Sequence, residues 1–309
     1  MINLKITTVL FLSTITIAQN LNKEFTLSIG ENFRLYPSNV NQWEVSIVNH
    51  PFNPNIMFAS ANALTLNPFF ISEGIFVTTD GGNSWRGTDT CNGQPVISHY
   101  GDPGIVISKN GTFILTRKGT TPGIFSHYST NNGLTWSNQK IISIGGVTSP
   151  EKASLVTDVN FSSNYYGRTY TTWVKLEPPY PVLVSYSNDD STWSIAQQIN
   201  NPTQRSGSSE IAIKPNGYLY VCWAAITNSS PFFEDYVGLA ISSDGSANWL
   251  VYENIFDMNG VTTLLEEKGY IRINGLPRIA IDTSGGPRNE WIYIVTGQKN
   301  LAPAGSDPD

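Results

Sequence analysis

Charge is scarce in this chain. Only 14% of its 309 residues are Asp, Glu, Lys or Arg, and 24 acids against 18 bases leave a formal net charge of −6. No run of Lys or Arg occurs, which excludes a nucleic-acid partner, and the mildly acidic balance argues against adsorption to anionic membranes. Histidine and cysteine are equally sparse. His50, His99 and His127 show no ligand spacing, and Cys91 and Cys222 cannot complete a zinc site without them. No metal and no cofactor are therefore expected. Long apolar runs are missing too. The one candidate, Ile6 to Ala18, is shorter than the roughly 20 residues a spanning helix needs. Sustained helical periodicity, a nucleophile elbow, a phosphate-binding glycine loop and an EF-hand loop are also lacking.

Hydrophobic residues make up 40% of the chain, enough for a large core and too many for disorder. Aromatics, Thr, Ser, Asn and Gly dominate, a composition for strands and turns. At the N-terminus Lys5 precedes the Ile6–Ala18 run, with small residues Thr16 and Ala18 ahead of Gln19. That three-part pattern predicts a signal peptide over residues 1–18 and a secreted or cell-surface protein. Export would permit a disulfide. Cys222, however, lies in the strand-like run Leu219-Tyr220-Val221-Cys222-Trp223, where a thiol serves as a small buried hydrophobe. Asn110-Gly111-Thr112, Asn160-Phe161-Ser162 and Asn228-Ser229-Ser230 are glycosylation sequons.

One motif recurs. Thr78-Thr79-Asp80-Gly81-Gly82-Asn83-Ser84-Trp85 is followed by copies at Ser129–Trp136, Ser187–Trp193 and Ser242–Trp249, and the tryptophans lie 51, 57 and 56 positions apart. A near-constant period of this size marks a repeat architecture. Asp and Ser close turns on their own backbone, Gly supplies a positive φ, and Trp covers the turn as the return strand starts. The third copy is one residue short and lacks the Gly.

Each copy sits at the same phase of a repeated unit. First strands read Val45–Val48, Gly104–Ile107, Ser154–Thr157, Ile211–Ile213 and Ile279–Ile281, and each is followed by a turn and an aromatic, β-branched second strand. The expectation is a set of four-stranded antiparallel meanders stacked about an axis, an all-β propeller. The pattern Ser/Thr-x-Asp-x-Gly-x-Thr/Ser-Trp resembles the Asp-box, or bacterial neuraminidase repeat, of the sialidase superfamily. Asp80, Gly82 and Trp85, Asn131, Gly133 and Trp136, Asp189 and Trp193, and Asp244 and Trp249 carry it. The resemblance implies a six-bladed sialidase-like propeller, of which about four and a half blades fit here. It also implies that these turns are structural and remote from the site. The expected layout is a lead-in at 19–42 and a C-terminally incomplete propeller at 43–309. Blades fall near 43–97, 98–148, 149–203, 204–270 and 271–309, and Trp85 is expected to be buried.

Propeller sites lie at a channel mouth where inner strands begin. Glu44, Asp102, Lys152, Glu210 and Arg278 stand at those positions and are expected at one mouth, opposite the repeated turns. The same charges would also suit solvated strand ends or pairs between blades. Sialidases, by resemblance, grip a carboxylate with three arginines and use a Tyr–Glu nucleophile and an acid/base Asp. Arg34, in Phe33-Arg34-Leu35-Tyr36, is the nearest match to the first arginine, while Glu210 and Arg278 match a Glu and a later Arg by position only. Between Leu35 and Val77 there is no Asp and no Arg, only Glu44 and Glu73. The nucleophilic Tyr would fall beyond Asp309. The expected function is therefore glycan or extracellular-protein binding without that catalytic set. The alternatives are a divergent exo-sialidase-like hydrolase and a structural cell-surface propeller.

Overall fold

A computed structural model describes residues 31–66, 69–89, 100–119, 121–148, 150–261, 263–265 and 271–299. The expected signal peptide at 1–18, Cys91, His99 and the last ten residues lie outside this set. The described residues form strands and turns without a helix.

Four antiparallel sheets follow one another, each in the order of its strands. The first holds β1 (Asn41–His50), β2 (Asn53–Leu66), β3 (Phe69–Thr78) and β4 (Arg86–Thr88). The second holds β5 (Gly104–Ile107), β6 (Phe113–Lys118), β7 (Gly123–Ser129) and β8 (Lys140–Ile144). The third holds β9 (Ser154–Thr157), β10 (Thr169–Val174), β11 (Val182–Ser187) and β12 (Gln197–Gln198). The fourth holds β13 (Arg205–Ile213), β14 (Leu219–Ile226), β15 (Glu234–Ser242) and β16 (Leu250–Asp257). A small hairpin, β17 (Thr263–Leu265) with β18 (Ile271–Ile273), precedes a fifth pair, β19 (Arg278–Ile281) with β20 (Ile292–Val295). First strands neighbour one another in the sequence β1, β5, β9, β13, β19. That is the inner ring of a β-propeller.

The core lies between blades. Phe58, Ile75 and Val77 of blade one pack with Ile105, Ile107, Phe113 and Trp136 of blade two. Ile124 and Ile142 of blade two meet Trp173 and Trp193 of blade three. Tyr170 and Val184 of blade three meet Trp223 and Trp249 of blade four. Cys222 and Leu239 of blade four meet Ile279 and Ile294 of blade five. A four-stranded sheet cannot bury both faces alone, so each blade completes its neighbour's core. Fit is tight: a Cβ on Gly238 would fall 2.2 Å from the buried ring of Trp223. Burial also pushes the Cys222 thiol up to about 12, keeping it an inert hydrophobe.

The repeated turns join third and fourth strands, and all four close by the same hydrogen bonds. Asp80 Oδ1 accepts from Ser84 N at 2.9 Å and Thr78 Oγ1 at 2.7 Å, while Thr78 Oγ1 accepts from Gly82 N at 3.0 Å. Asn131 Oδ1 accepts from Thr135 N at 2.9 Å, Asp189 Oδ1 from Thr192 N at 2.7 Å, and Asp244 Oδ1 from Asn248 N at 2.9 Å. In the shortened third turn Asp190 takes the left-handed backbone, φ 65°, that Gly82 and Gly133 take elsewhere. Its carboxylate accepts from Ser108 Oγ of blade two at 2.7 Å. That bond stabilises a conformation that is uncommon without glycine.

Several expectations are corrected. Trp136 is buried at 7% exposure, but Trp85 is only half-buried, as Trp193 and Trp249 also are. The Trp does not lead the fourth strand in blades two and three, where β8 and β12 start several residues later. In blade one the turn after the first strand lies at Pro51-Phe52, and Asn53-Pro54-Asn55 opens β2. The β17–β18 hairpin was not anticipated.

Candidate functional site: the channel mouth

Strand register sets the two ends of the propeller. In blade one Asn41 pairs with Leu64, while Met57 pairs with Thr78, where the repeated turn begins. In blade four Arg205 pairs with Ile226 and Ile226 with Glu234, while Leu219 pairs with Ile213 and Ser242. The starts of the inner strands thus lie at one end and the repeated turns at the other.

Glu44 was expected just ahead of its strand, but it lies inside β1. Trp43 pairs with Asn62 and Ser46 with Ser60, so Glu44 and Val45 face a single residue across a bulge. Its backbone is left-handed, φ 54°, and so is that of Asp102, φ 58°. Such geometry in residues with a Cβ costs energy and persists only where the surroundings hold it. Asn62 supplies the hold on Asp102. Its Oδ1 accepts from Asp102 N at 2.7 Å, and its Nδ2 donates to Asp102 Oδ1 at 3.2 Å. Lys118 adds an ion pair to the other Asp102 oxygen.

Burial of the carboxyl within the mouth, the adjacent Asp102 carboxylate and a hydrogen bond with it push Glu44 up to about 7. The residue keeps access to solvent, as a group facing a channel does. Lys152, beside them, is pushed down by burial and by Arg278, against the opposing pull of Glu44, Asp102 and Glu151.

Glu210 completes the ring. A bulge between Gly207 and Ser209 precedes it. Its Oε2 accepts from Ser154 Oγ of blade three at 2.8 Å, and its Oε1 is paired with Arg278 of blade five. Arg278 is 61% exposed while Glu210 is largely covered, so the arginine forms the solvent side of the pair.

The mouth therefore brings Glu44, Asp102, Lys152, Glu210 and Arg278 from five blades into one linked network. Arg34 is exposed in the lead-in, whose Tyr36 packs on Phe76 of β3 with ring centroids 5.4 Å apart. No bond joins it to this network. The residues that sequence reading missed are the supports: Asn62, Lys118, Glu151 and Ser154. Also missed was Arg205, whose guanidinium lies over the rings of Tyr180 at 4.7 Å and Phe232 at 4.4 Å. Among the described residues no group of His, Cys, Asp and Glu could hold a metal ion. No helix there is long and apolar enough to cross a membrane.

No protein-family model and no curated protein matches the sequence. Solved structures do match. An α-L-arabinanase of Penicillium chrysogenum, complexed with arabinobiose, is 16% identical over 84% of this chain and 77% of its own, with TM-score 0.56. An intramolecular trans-sialidase of Ruminococcus gnavus is 10% identical over 89% and 85%, with TM-score 0.55. The leech intramolecular trans-sialidase is 12% identical over 90% and 61%, with TM-score 0.54. The fold is a sialidase-like β-propeller. At these identities the likeness carries the architecture and not the chemistry. Within the sialidase-like propeller, then, the mouth residues must be judged on their own geometry.

Proposed function

We propose that this chain is an extracellular sugar-binding propeller whose ligand sits at the channel mouth. The observation that carries the reading is the convergence of Glu44, Asp102, Lys152, Glu210 and Arg278 from within or just ahead of five inner strands. Acids and bases there are paired with one another, so the mouth offers many donors and acceptors with little net charge, as a hydroxyl-rich ligand requires. Fixed backbone bulges and the Asn62 and Ser154 bonds pre-organise the acids, which lowers the entropy lost on binding. Extracellular placement follows from the leader pattern of residues 1–18. The four repeated turns are read as Asp-boxes, structural and remote from the ligand.

The sialidase set is not part of this reading. Arg34 is outside the network, and between Leu35 and Val77 the chain has Glu44 and Glu73 but no Asp. A second reading is favoured by one observation: Glu44, pushed up to about 7 beside Asp102, keeps a proton near neutrality and would suit a general acid in glycoside cleavage. Calorimetric titration with arabinobiose and 3′-sialyllactose, with reducing-end release measured in parallel, separates the readings. Binding that is lost in Glu210→Gln without sugar release supports the binding reading. Release abolished by Glu44→Gln establishes the hydrolase. Neither binding nor release leaves a structural propeller.

A further inference from the structure

Lys152 stands just ahead of β9. The residue before it is anchored: Glu151 N donates to Val174 O, at the end of β10, at 2.9 Å. The backbone that carries the lysine is therefore fixed. Its ammonium lies in the field of Glu44 of blade one, Asp102 of blade two and Arg278 of blade five, besides its neighbour Glu151. A lysine of blade three within range of blades one, two and five reaches over the channel and not along its own sheet.

Two features set it apart from the other cations of the mouth. Lys118 is bound to Asp102, and Arg278 to Glu210. Among the described residues Lys152 makes no ion pair and no hydrogen bond, and the nearby acids act on it only from a distance. It is also partly covered. Burial first, and Arg278 next, favour the neutral amine over the ammonium, and the three acids offset them only in part. A neutral amine is a nucleophile and an ammonium is not. Lysines in covered sites beside a second cation are the ones that add to carbonyl groups. Glu44, in the same mouth, keeps its proton up to about 7. Near neutrality an amine ready to give up its proton thus faces a carboxyl that still holds one.

We propose that Lys152 condenses with the aldehyde end of an open-chain reducing sugar, with Glu44 carrying the protons. The Nζ lone pair bonds to the aldehyde carbon, and the carbonyl oxygen takes the Glu44 proton to become a hydroxyl. The nitrogen then returns a proton to the Glu44 carboxylate. Glu44 next protonates the hydroxyl, which leaves as water while the nitrogen lone pair closes the C=N bond. The last nitrogen proton goes back to Glu44. One amine and one aldehyde give one imine and one water, nothing is oxidised or reduced, and Glu44 ends as it began. The proposal rests on the reading of the mouth as a sugar site and adds to it a reversible covalent hold on the reducing end.

The test treats the full chain with glycolaldehyde or with D-ribose in the presence of cyanoborohydride, which reduces an imine to a stable secondary amine. Labelled lysines are then mapped by peptide mass spectrometry. Lys152 should carry several-fold more label than Lys140 or Lys175, although the Lys175 side chain is 45% exposed. Lys152→Arg keeps the charge and should lose that label and no other. In wild type the labelling rate should level off as pH rises past about 7, where Glu44 gives up its proton. In Glu44→Gln it should start lower and keep rising. Label that follows exposure, with Lys152 no higher than Lys175, would overturn the proposal. Identical pH profiles in wild type and Glu44→Gln would overturn the role given to Glu44. Labelling of Lys152 by glycolaldehyde and not by ribose would keep the reactive amine and defeat the sugar-mouth reading instead.

Discussion

Replacing Trp136 by alanine tests the inter-blade core directly. The ring belongs to the second repeated turn but is buried against blade one, with Phe58 at 5.7 Å and 45° and Ile75 and Val77 in the same cluster. At 7% exposure nearly all its surface is removed from water. An aromatic side chain of this size buries some 150–250 Å², which at about 25 cal/mol/Å² is an upper figure of roughly 4–6 kcal/mol. Alanine retains a little of that surface and the cavity relaxes only partly, so the expected loss is about 3–5 kcal/mol. Urea unfolding followed by far-UV circular dichroism measures it. Trp85→Ala is the internal control. That ring is half-buried with no preceding blade described against it, and about 1–2 kcal/mol is expected. A loss below about 1.5 kcal/mol for Trp136→Ala, or equal losses for the two variants, would refute the account of how blades share their cores.

Glu44 makes stability depend on pH in a stated direction. Its carboxyl, ordinarily near 4.5, holds its proton to about 7 in the folded chain. Between those values the folded state binds more protons than the unfolded one, so stability falls as pH rises through that window. Thermal melts of wild type and Glu44→Gln should therefore diverge from pH 5 to pH 8, with the variant gaining on wild type; parallel curves would contradict the shift. Asn62→Ala leaves Asp102 N and the Asp102 carboxylate each short of a partner. It should cost about 1–3 kcal/mol in chemical unfolding and move the Glu44 titration seen by carboxyl NMR. Asp189→Ala removes the acceptor for Ser191 N, Thr192 N and Thr192 Oγ1 and should cost about 1–2 kcal/mol at neutral pH. Those bonds hold the Asp189 carboxyl below the usual range. The wild-type advantage should therefore persist down to about pH 4 and be lost progressively as the pH falls from there through the lowered folded value.

The fold could be read from the chain because one turn repeats at one phase. Asp80, Asn131, Asp189 and Asp244 each need the same three or four neighbours in sequence, so the motif is local and survives inspection without coordinates. The strand-start charges could be picked out for the same reason, since their phase follows from the repeat. What could not be read is register. The bulge that sets Glu44 inside β1 depends on how that strand pairs with β2, and the alternation Ala59-Ser60-Ala61-Asn62-Ala63 gives no sign of it. Asn62 and Ser154 look like ordinary strand residues until the neighbouring blade brings Asp102 and Glu210 to them. Arg205 was invisible because Tyr180 and Phe232 stand on separate loops of two blades. The depth of Trp85 was not legible either, because the motif names the ring and not how far the packing covers it: Trp136 is buried while Trp85, Trp193 and Trp249 are half-buried.

The central claim is that the mouth, and not the turn end, binds sugar. Saturation-transfer NMR with a panel of soluble oligosaccharides, run on wild type, Glu210→Gln and Asp244→Asn, tests it most directly. Asp244 lies in the fourth repeated turn, at the opposite end from Glu210. The account predicts transfer to at least one oligosaccharide in wild type and in Asp244→Asn, and its loss in Glu210→Gln while the melting curve of that variant stays that of a folded propeller. Transfer that survives Glu210→Gln and disappears in Asp244→Asn would contradict it.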